Sequence, residues 1–356
     1  MQPDRDPHCE KVCFYLAPLE GITTFIYRRI YREMFGGMEK YFSPFIAPVS
    51  RQRFKKRDER DILPEHNEGV PLVPQVLTNN ADDFLFAAGC LREYGYDEIN
   101  LNLGCPSKTV VSKKRGSGFL SVPKQLEQFL MQVCEGFEKC GLRLSVKTRI
   151  GKERPDEFDE LLSIFCKFSL AELIIHPRVQ KDFYEHEPNL QVFGQAYKEA
   201  ETSGWELCYN GDLFQIADYE HLCAKFPKIS AVMMGRGLLT NPMLVEEIKI
   251  RENGGSSELQ EKPAVLQRFS DPDKEKDERK RRYEMHRMLL DDYKSVLSGE
   301  RNVLFKMKEI WFYMSQDFTM SQYYWKKMKK AQKLSEFEQA VDALCREQML
   351  LERTKI

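Results

Sequence analysis

Residues 98–106 read Glu-Ile-Asn-Leu-Asn-Leu-Gly-Cys-Pro. The stretch Glu98–Asn102 has the composition of a short strand, and Gly104 and Pro106 close it with a tight turn. Similar strand-like runs lie at Val12–Leu16, Tyr41–Ile46, Leu72–Leu77, Arg143–Thr148, Glu172–Ile175, Glu206–Tyr209 and Ala231–Met234, eight in all. Between them are amphipathic stretches, clearest at 81–94, 123–139, 156–169 and 214–226, with apolar residues at i, i+3 and i+4. Eight strands, each followed by a helix or long crossover within about 240 residues, predict an α/β fold, a (β/α)8 TIM barrel. The competing topology is a doubly wound sheet. Its usual first turn, G-x-G-x-x-G, is missing after Leu16, where the chain reads Ala17-Pro-Leu-Glu-Gly-Ile-Thr23.

The chain changes character near residue 252. Residues 252–263 (ENGGSSELQEKP) have linker composition, and no strand signal follows. Helical patterns at 273–297, 301–317, 321–333 and 335–351 predict a small all-helical C-terminal domain. The expected division is a barrel over 1–251, a linker over 252–272 and a helical domain over 273–356. The charge run at 274–282 (KEKDERKRR) is expected to form a solvated helix face.

Composition agrees with a globular enzyme: 42% of the 356 residues are hydrophobic and 31% charged, which excludes a disordered chain or a rod. The ten cysteines include no C-x-x-C pair, and no histidine has zinc-ligand spacing, so no metal is expected. No apolar run approaches the roughly 20 residues that span a membrane. The expectation is a cytoplasmic protein with reduced thiols, no membrane contact and no stable protein partner.

Barrel chemistry sits at the carboxyl ends of the strands. The residues there are Ala17-Pro18, Gln75, Asn100 to Pro106, Lys147 and Arg149, His176-Pro-Arg178, Asn210-Gly211-Asp212, and Gly235-Arg236-Gly237. Glycines after the last two strands suit a phosphate group, although Asn-Gly and Gly-x-Gly are also ordinary turn formers. Lys147, inside the apolar run LSVKTRI, is costly to bury unless it is paired with an acid or functional. Cys105, in its tight turn, is the candidate reactive group. A thiol of ordinary pKa near 8.5 donates a proton at neutral pH, and as a thiolate it would be a nucleophile.

In order along 18–242, APLEGIT, NLNLGCP with its downstream GSGFL, SVKTRIG, the H-x-R of IIHPR, NGD and MMGRGLLTNP resemble the flavin-dependent tRNA-dihydrouridine synthase family. The helical tail matches as well, because that family appends a helical RNA-binding domain to an FMN barrel. The resemblance implies FMN as cofactor and NADPH as reductant, with tRNA, or another structured RNA, as partner. Ala17, Pro18 and Leu19 would lie against the flavin ring, and Gln75, Lys147 and His176 would hydrogen-bond it. Asn210, Gly211, Asp212, Gly235 and Arg236 would hold the ribityl chain and phosphate. Cys105 would be the proton donor, and Asn102 and Arg178 would contact the target uridine or nearby backbone. The family's usual methionine after Ala-Pro is Leu19 here, an acidic residue gives way to Thr24, and the second strand reads YFSPFIAP.

The near-zero net charge hides local concentration. Within 301–333, eight cations (Arg301, Lys306, Lys308, Lys326, Lys327, Lys329, Lys330, Lys333) face only Glu309 and Asp317, interleaved with aromatics that are expected to pack the bundle core. Further basic groups occur at 51–60 and 113–115. Such cations suit phosphates. Two other readings stay open: an FMN barrel oxidoreductase acting on a small molecule, and an RNA-binding protein with an idle barrel.

Overall fold

The computed structural model describes residues 12–48, 54–253 and 272–351. The expected linker falls almost wholly outside the described residues, as do Cys9 and residues 51–53 of the first basic stretch. The chain forms two compact units that are not consecutive in sequence. Of the described residues, the first comprises those up to 20, within 38–212 and within 220–234; the second comprises 21–37, 213–219 and those from 235 on.

The first unit holds all the barrel strands: β1 Cys13–Leu16, β2 Lys40–Phe42, β3 Leu72–Val73, β4 Gln75–Val76, β5 Glu98–Leu103, β6 Arg143–Arg149, β7 Glu172–His176, β8 Glu206–Tyr209 and β9 Ala231–Met234. All pair in parallel, in the order β3-β2-β1-β9-β8-β7-β6-β5-β4. β3 and β4 are one barrel strand broken at Pro74, which has no N–H for the ladder. The ring closes there, since β3 pairs with β2 and β4 with β5. An isolated bridge from Ile46 to Val76 extends that closure. The fold is the expected TIM barrel.

Helices α1 Phe25–Met34, α2 Lys56–Ile62, α3 Ala81–Glu93, α4 Lys108–Val111, α5 Pro123–Cys140, α6 Glu157–Phe165, α7 Leu190–Ser203, α8 Ile216–Lys225, α9 Arg236–Thr240 and α10 Leu244–Glu252 follow the strands. Helices α11 Pro272–Val296, α12 Glu300–Met314, α13 Ser321–Lys330 and α14 Leu334–Glu347 form the C-terminal region. The amphipathic stripes explain their packing: Phe84 of α3 meets Phe129 and Phe137 of α5 at 5.7 Å between ring centres.

Side chains alternate along a strand, so one anchored position settles its neighbours. Tyr15, Phe42, Val73, Ile174, Cys208, Ala231 and Met233 pack together as a buried cluster inside the barrel. The same alternation turns Glu98, Asn100 and Asn102 of β5 and Glu172 and His176 of β7 inward. At the amino ends the barrel has an ionic floor. Lys40 Nζ donates to Glu98 at 3.0 Å and to Glu172 at 3.1 Å. Burial, with Glu98 adding to it, pushes Glu172 up to about 7 against the pull of Lys40.

In the second unit the charge run does not form a solvated face throughout. Arg282 is fully buried and binds Asp317, with Asn241 Oδ1 accepting at 2.9 Å. Arg281 forks onto Glu246 at 2.7 and 2.8 Å and lies 4.9 Å from the Phe35 ring. Solvation holds only for the outward residues such as Lys280. This unit also takes up α1, whose Thr24 hydroxyl meets Tyr293 at 3.2 Å.

Candidate active site

Inward polar residues of β4, β5 and β6 form a connected set. Gln75 is fully buried; its Nε2 donates to Asn100 Oδ1 at 2.7 Å, and its Oε1 accepts from Asn102 Nδ2 at 2.6 Å. Asn100 Nδ2 continues to Ser145 Oγ at 2.9 Å, and the Gln75 N–H donates to Ser43 Oγ at 3.0 Å. The register explains the reach: Gln75, Asn100 and Ser145 are direct neighbours across three strands, and Asn102 pairs with Lys147. Sequence reasoning missed Ser43 and Ser145, because a lone serine in or after a strand carries no mark of its own. The available signal was the period-two polar pattern of Asn100 and Asn102 in an otherwise apolar strand, which calls for polar neighbours on the same face.

The Cys105 turn hangs from this set. Asn102 Oδ1 accepts from the Gly104 N–H at 3.1 Å and the Cys105 N–H at 2.9 Å. The Cys105 carbonyl accepts from Ser117 N and Oγ at 3.1 and 2.8 Å. The glycines of GSGFL permit this approach: Gly116 has φ +54°, and a Cβ on Gly118 would lie 2.6 Å from the Val111 carbonyl oxygen. Burial raises the Cys105 thiol above its ordinary value. The Ser107 backbone N–H opposes the rise, Glu20 adds to it, and Arg149 and Lys147 oppose it.

Lys147 is part-buried on β6, and among the described residues no carboxylate partners it. Burial pushes its pKa down to about 8; Arg149 adds to the fall, and the Cys208 and Cys105 thiols oppose it. The structural alternative of an acid partner is not seen. His176, also buried, takes the Arg178 guanidinium at 3.0 Å on Nε2. Arginine can only donate, so that nitrogen accepts and the proton of a neutral ring sits on Nδ1. Arg178 is buried too, bonding Asp212 Oδ1 at 3.2 Å and the His186 carbonyl. The structure therefore gives Arg178 and Asn102, expected at the target base, protein partners within their own rim.

Ala17 is buried, and its N–H donates to the Met234 carbonyl at 2.8 Å. Pro18 and Leu19 follow it, part-exposed. Asn210 Nδ2 donates to the Met233 carbonyl at 2.8 Å. Gly211 leaves no room for a side chain, since a Cβ would land on the Tyr209 hydroxyl. Gly235 and Arg236 belong to the second unit, where the Arg236 guanidinium lies 5.6 Å from the Phe214 ring.

The aromatics of α12 and α13 divide. Trp311 and Tyr324 are buried, as expected, but Phe312 and Tyr323 are 43% and 51% exposed. Lys327 Nζ lies 4.3 Å from the Tyr323 ring centre. Lys326, Lys327, Lys329 and Lys330 are exposed, whereas Lys308 is spent on the carbonyls of Lys329 and Ala331. Among the described residues no group of acids, cysteines and histidines could hold a metal, and no helix is long and apolar enough to cross a membrane.

A barrel with these polar groups on its carboxyl rim defines an enzyme of the β/α-barrel class. The comparisons narrow it. The family model "Dihydrouridine synthase (Dus)" matches residues 15–348. A probable tRNA-dihydrouridine synthase 2 of Bacillus subtilis is 26% identical over 237 residues, covering 66% of this chain and 71% of that protein. A probable tRNA-dihydrouridine synthase of Staphylococcus aureus is 27% identical over 238 residues, covering 66% and 70%. Among solved structures, morphinone reductase aligns over 67% of this chain and 86% of its own, with 14% identity and a TM-score of 0.47. The chain belongs to the dihydrouridine synthase family and is an oxidoreductase.

Proposed function

We propose that this enzyme reduces the C5=C6 bond of specific uridines in tRNA to dihydrouridine, using FMN recharged by NADPH. The observation that carries the reading is Lys147, a part-buried ammonium inside the barrel with no carboxylate partner among the described residues. An isolated buried cation is costly, and an anionic ligand removes the cost. The residues fit a flavin in two further respects. The amides of Gln75 and Asn102 stand on the same inward face as Lys147. Ala17 also adds a small apolar residue to the buried cluster inside the barrel.

When bound, FMN supplies the hydride that reaches C6 of the uracil. Lys147 stabilises negative charge on the flavin's pyrimidine edge, and Gln75 and His176 orient that edge. Ala17, Pro18 and Leu19 form an apolar wall for the ring. Asn210, Gly211 and Asp212 serve the ribityl chain. Cys105 gives its proton to C5; a thiol held protonated by burial suits a donor rather than a nucleophile. Asn102 sets the Cys105 turn from behind, and Arg178 fixes the His176 tautomer. The target base must leave its stack to reach a barrel mouth. The exposed lysines of α13 hold phosphates of the RNA.

The test is an absorbance spectrum of the purified protein, followed by mass spectrometry of nucleosides from an RNA substrate incubated with enzyme and NADPH. A flavin band with new dihydrouridine is expected. A flavin band without that product points to a small-molecule substrate, and no flavin band overturns the proposal.

A further inference from the structure

Arg149, the last residue of β6, is 1% exposed and donates to three backbone carbonyls. Nε donates to the Gly104 carbonyl at 3.0 Å, Nη1 to Val179 at 2.9 Å and Nη2 to Phe183 at 2.8 Å. Gly104 immediately precedes Cys105. Val179 and Phe183 lie in the loop that follows β7 and leads to Tyr184. The guanidinium also sits 5.4 Å from the Tyr184 ring centre, and that ring stacks on His176 at 5.8 Å and 27°. No carboxylate is paired with Arg149 among the described residues, so an ion pair does not explain its burial. Burial instead lowers its pKa, as expected of a cation kept for its donors.

We propose that Arg149 is a positioning residue that clamps the Cys105 turn to the 179–184 loop, and so fixes the thiol relative to His176. The proposal rests on the reading of Cys105 as proton donor. The guanidinium is suited to this because its planar fork presents donors in several directions at once, bridging loops separated by some 75–79 residues from Gly104. Asn102 and Ser117 hold the turn from β5 and from the GSGFL segment; Arg149 supplies the remaining side. Gln180 Nε2 to the Pro106 carbonyl at 3.3 Å is a weaker parallel tie between the same two loops.

The test compares full-length Arg149→Lys, Arg149→Gln and Cys105→Ala. Lysine keeps the charge but bonds from one point. We expect both Arg149 variants to fold, keep the flavin band and keep KM for RNA. Turnover should fall about 10- to 100-fold, the scale of a misplacement near 1 Å. In Arg149→Lys, iodoacetamide should label the Cys105 peptide several-fold faster, as read by mass spectrometry, because the turn is released while the charge is retained. Labelling and turnover like the unaltered protein in Arg149→Lys would overturn the clamp, as would failure of both variants to fold, which makes Arg149 a folding residue. The labelling readout does not depend on the reaction. If Cys105→Ala turns over normally, the proton-donor reading fails by itself, whatever the labelling shows.

Discussion

Replacing Lys147 with methionine separates the stability of the barrel from its hold on the cofactor. The ordinary lysine value of 10.5 falls to about 8 at this site, chiefly through burial. One pKa unit corresponds to about 1.4 kcal/mol, so the charged ammonium costs the flavin-free fold about 3 kcal/mol at neutral pH. Methionine keeps an unbranched stem of similar length without the charge. The sign with pH follows from proton binding. Below about pH 8 the lysine is protonated in both states, and the full penalty applies. Between about 8 and 10.5 the unfolded chain binds more protons than the folded one, so the parent protein gains stability as pH rises. Urea unfolding of flavin-stripped Lys147→Met should therefore show a gain approaching 3 kcal/mol at pH 7 that shrinks to little by about pH 10.5. The same variant should bind FMN about ten- to a hundredfold more weakly, the loss of one hydrogen bond to a charged group. A variant less stable than the parent at pH 7, or a gain flat across pH, would refute the burial argument. Unchanged FMN affinity beside the expected gain would refute only the contact with the ring.

Cys105→Ala should keep the flavin band and lose most dihydrouridine formation in single-turnover assays, by about 10²- to 10⁴-fold; ordinary turnover would remove the thiol from the reaction. Asp317→Ala takes from the buried Arg282 the nearer of its two carboxylates, leaving Glu278 at 3.5 Å, and should lower the unfolding free energy by up to about 3–5 kcal/mol, measured by denaturant melts. An effect below about 1 kcal/mol would show that the pair behaves as a surface bridge. Lys329→Glu with Lys330→Glu should weaken RNA binding and flatten its dependence on salt by about one slope unit for each phosphate no longer neutralised. Filter binding across a salt series reads this directly, and an unchanged slope would place the RNA elsewhere.

The barrel was readable because a strand declares itself locally. Seven of the eight expected strands begin and end within a residue or so of the observed ones, from Cys13–Leu16 to Ala231–Met234. The exception is Tyr41–Ile46, which shortens to Lys40–Phe42 with a lone bridge at Ile46. Pro44 has no N–H to give a ladder there, just as Pro74 splits the next strand. Charge was less readable. The 274–282 run looks solvated because Arg282's partner, Asp317, lies 35 residues away in sequence. Exposure of Phe312 and Tyr323 was equally hidden, since helical periodicity gives a face but not which face the neighbours cover.

Within the candidate site the same distinction separates Lys147 from Arg149. An ammonium in an apolar strand is conspicuous because burial without an acid is expensive, and LSVKTRI displays that conflict in seven residues. Arg149 sits two positions on and is buried more completely, yet its partners are the carbonyls of Gly104, Val179 and Phe183. Every residue type carries a carbonyl, so no side-chain pattern marks an acceptor, and only the folded loops bring these three together. Arg178 follows the same logic with one legible partner. An H-x-R at a strand end reads as two groups facing a ligand, and in the fold the Arg178 guanidinium reaches both Asp212 on the next strand end and Nε2 of His176. A residue whose burden is its own desolvation is thus conspicuous in the sequence. A cation bonded to backbone carbonyls or to a neighbouring ring is not, because the mark of that contact belongs to the acceptors.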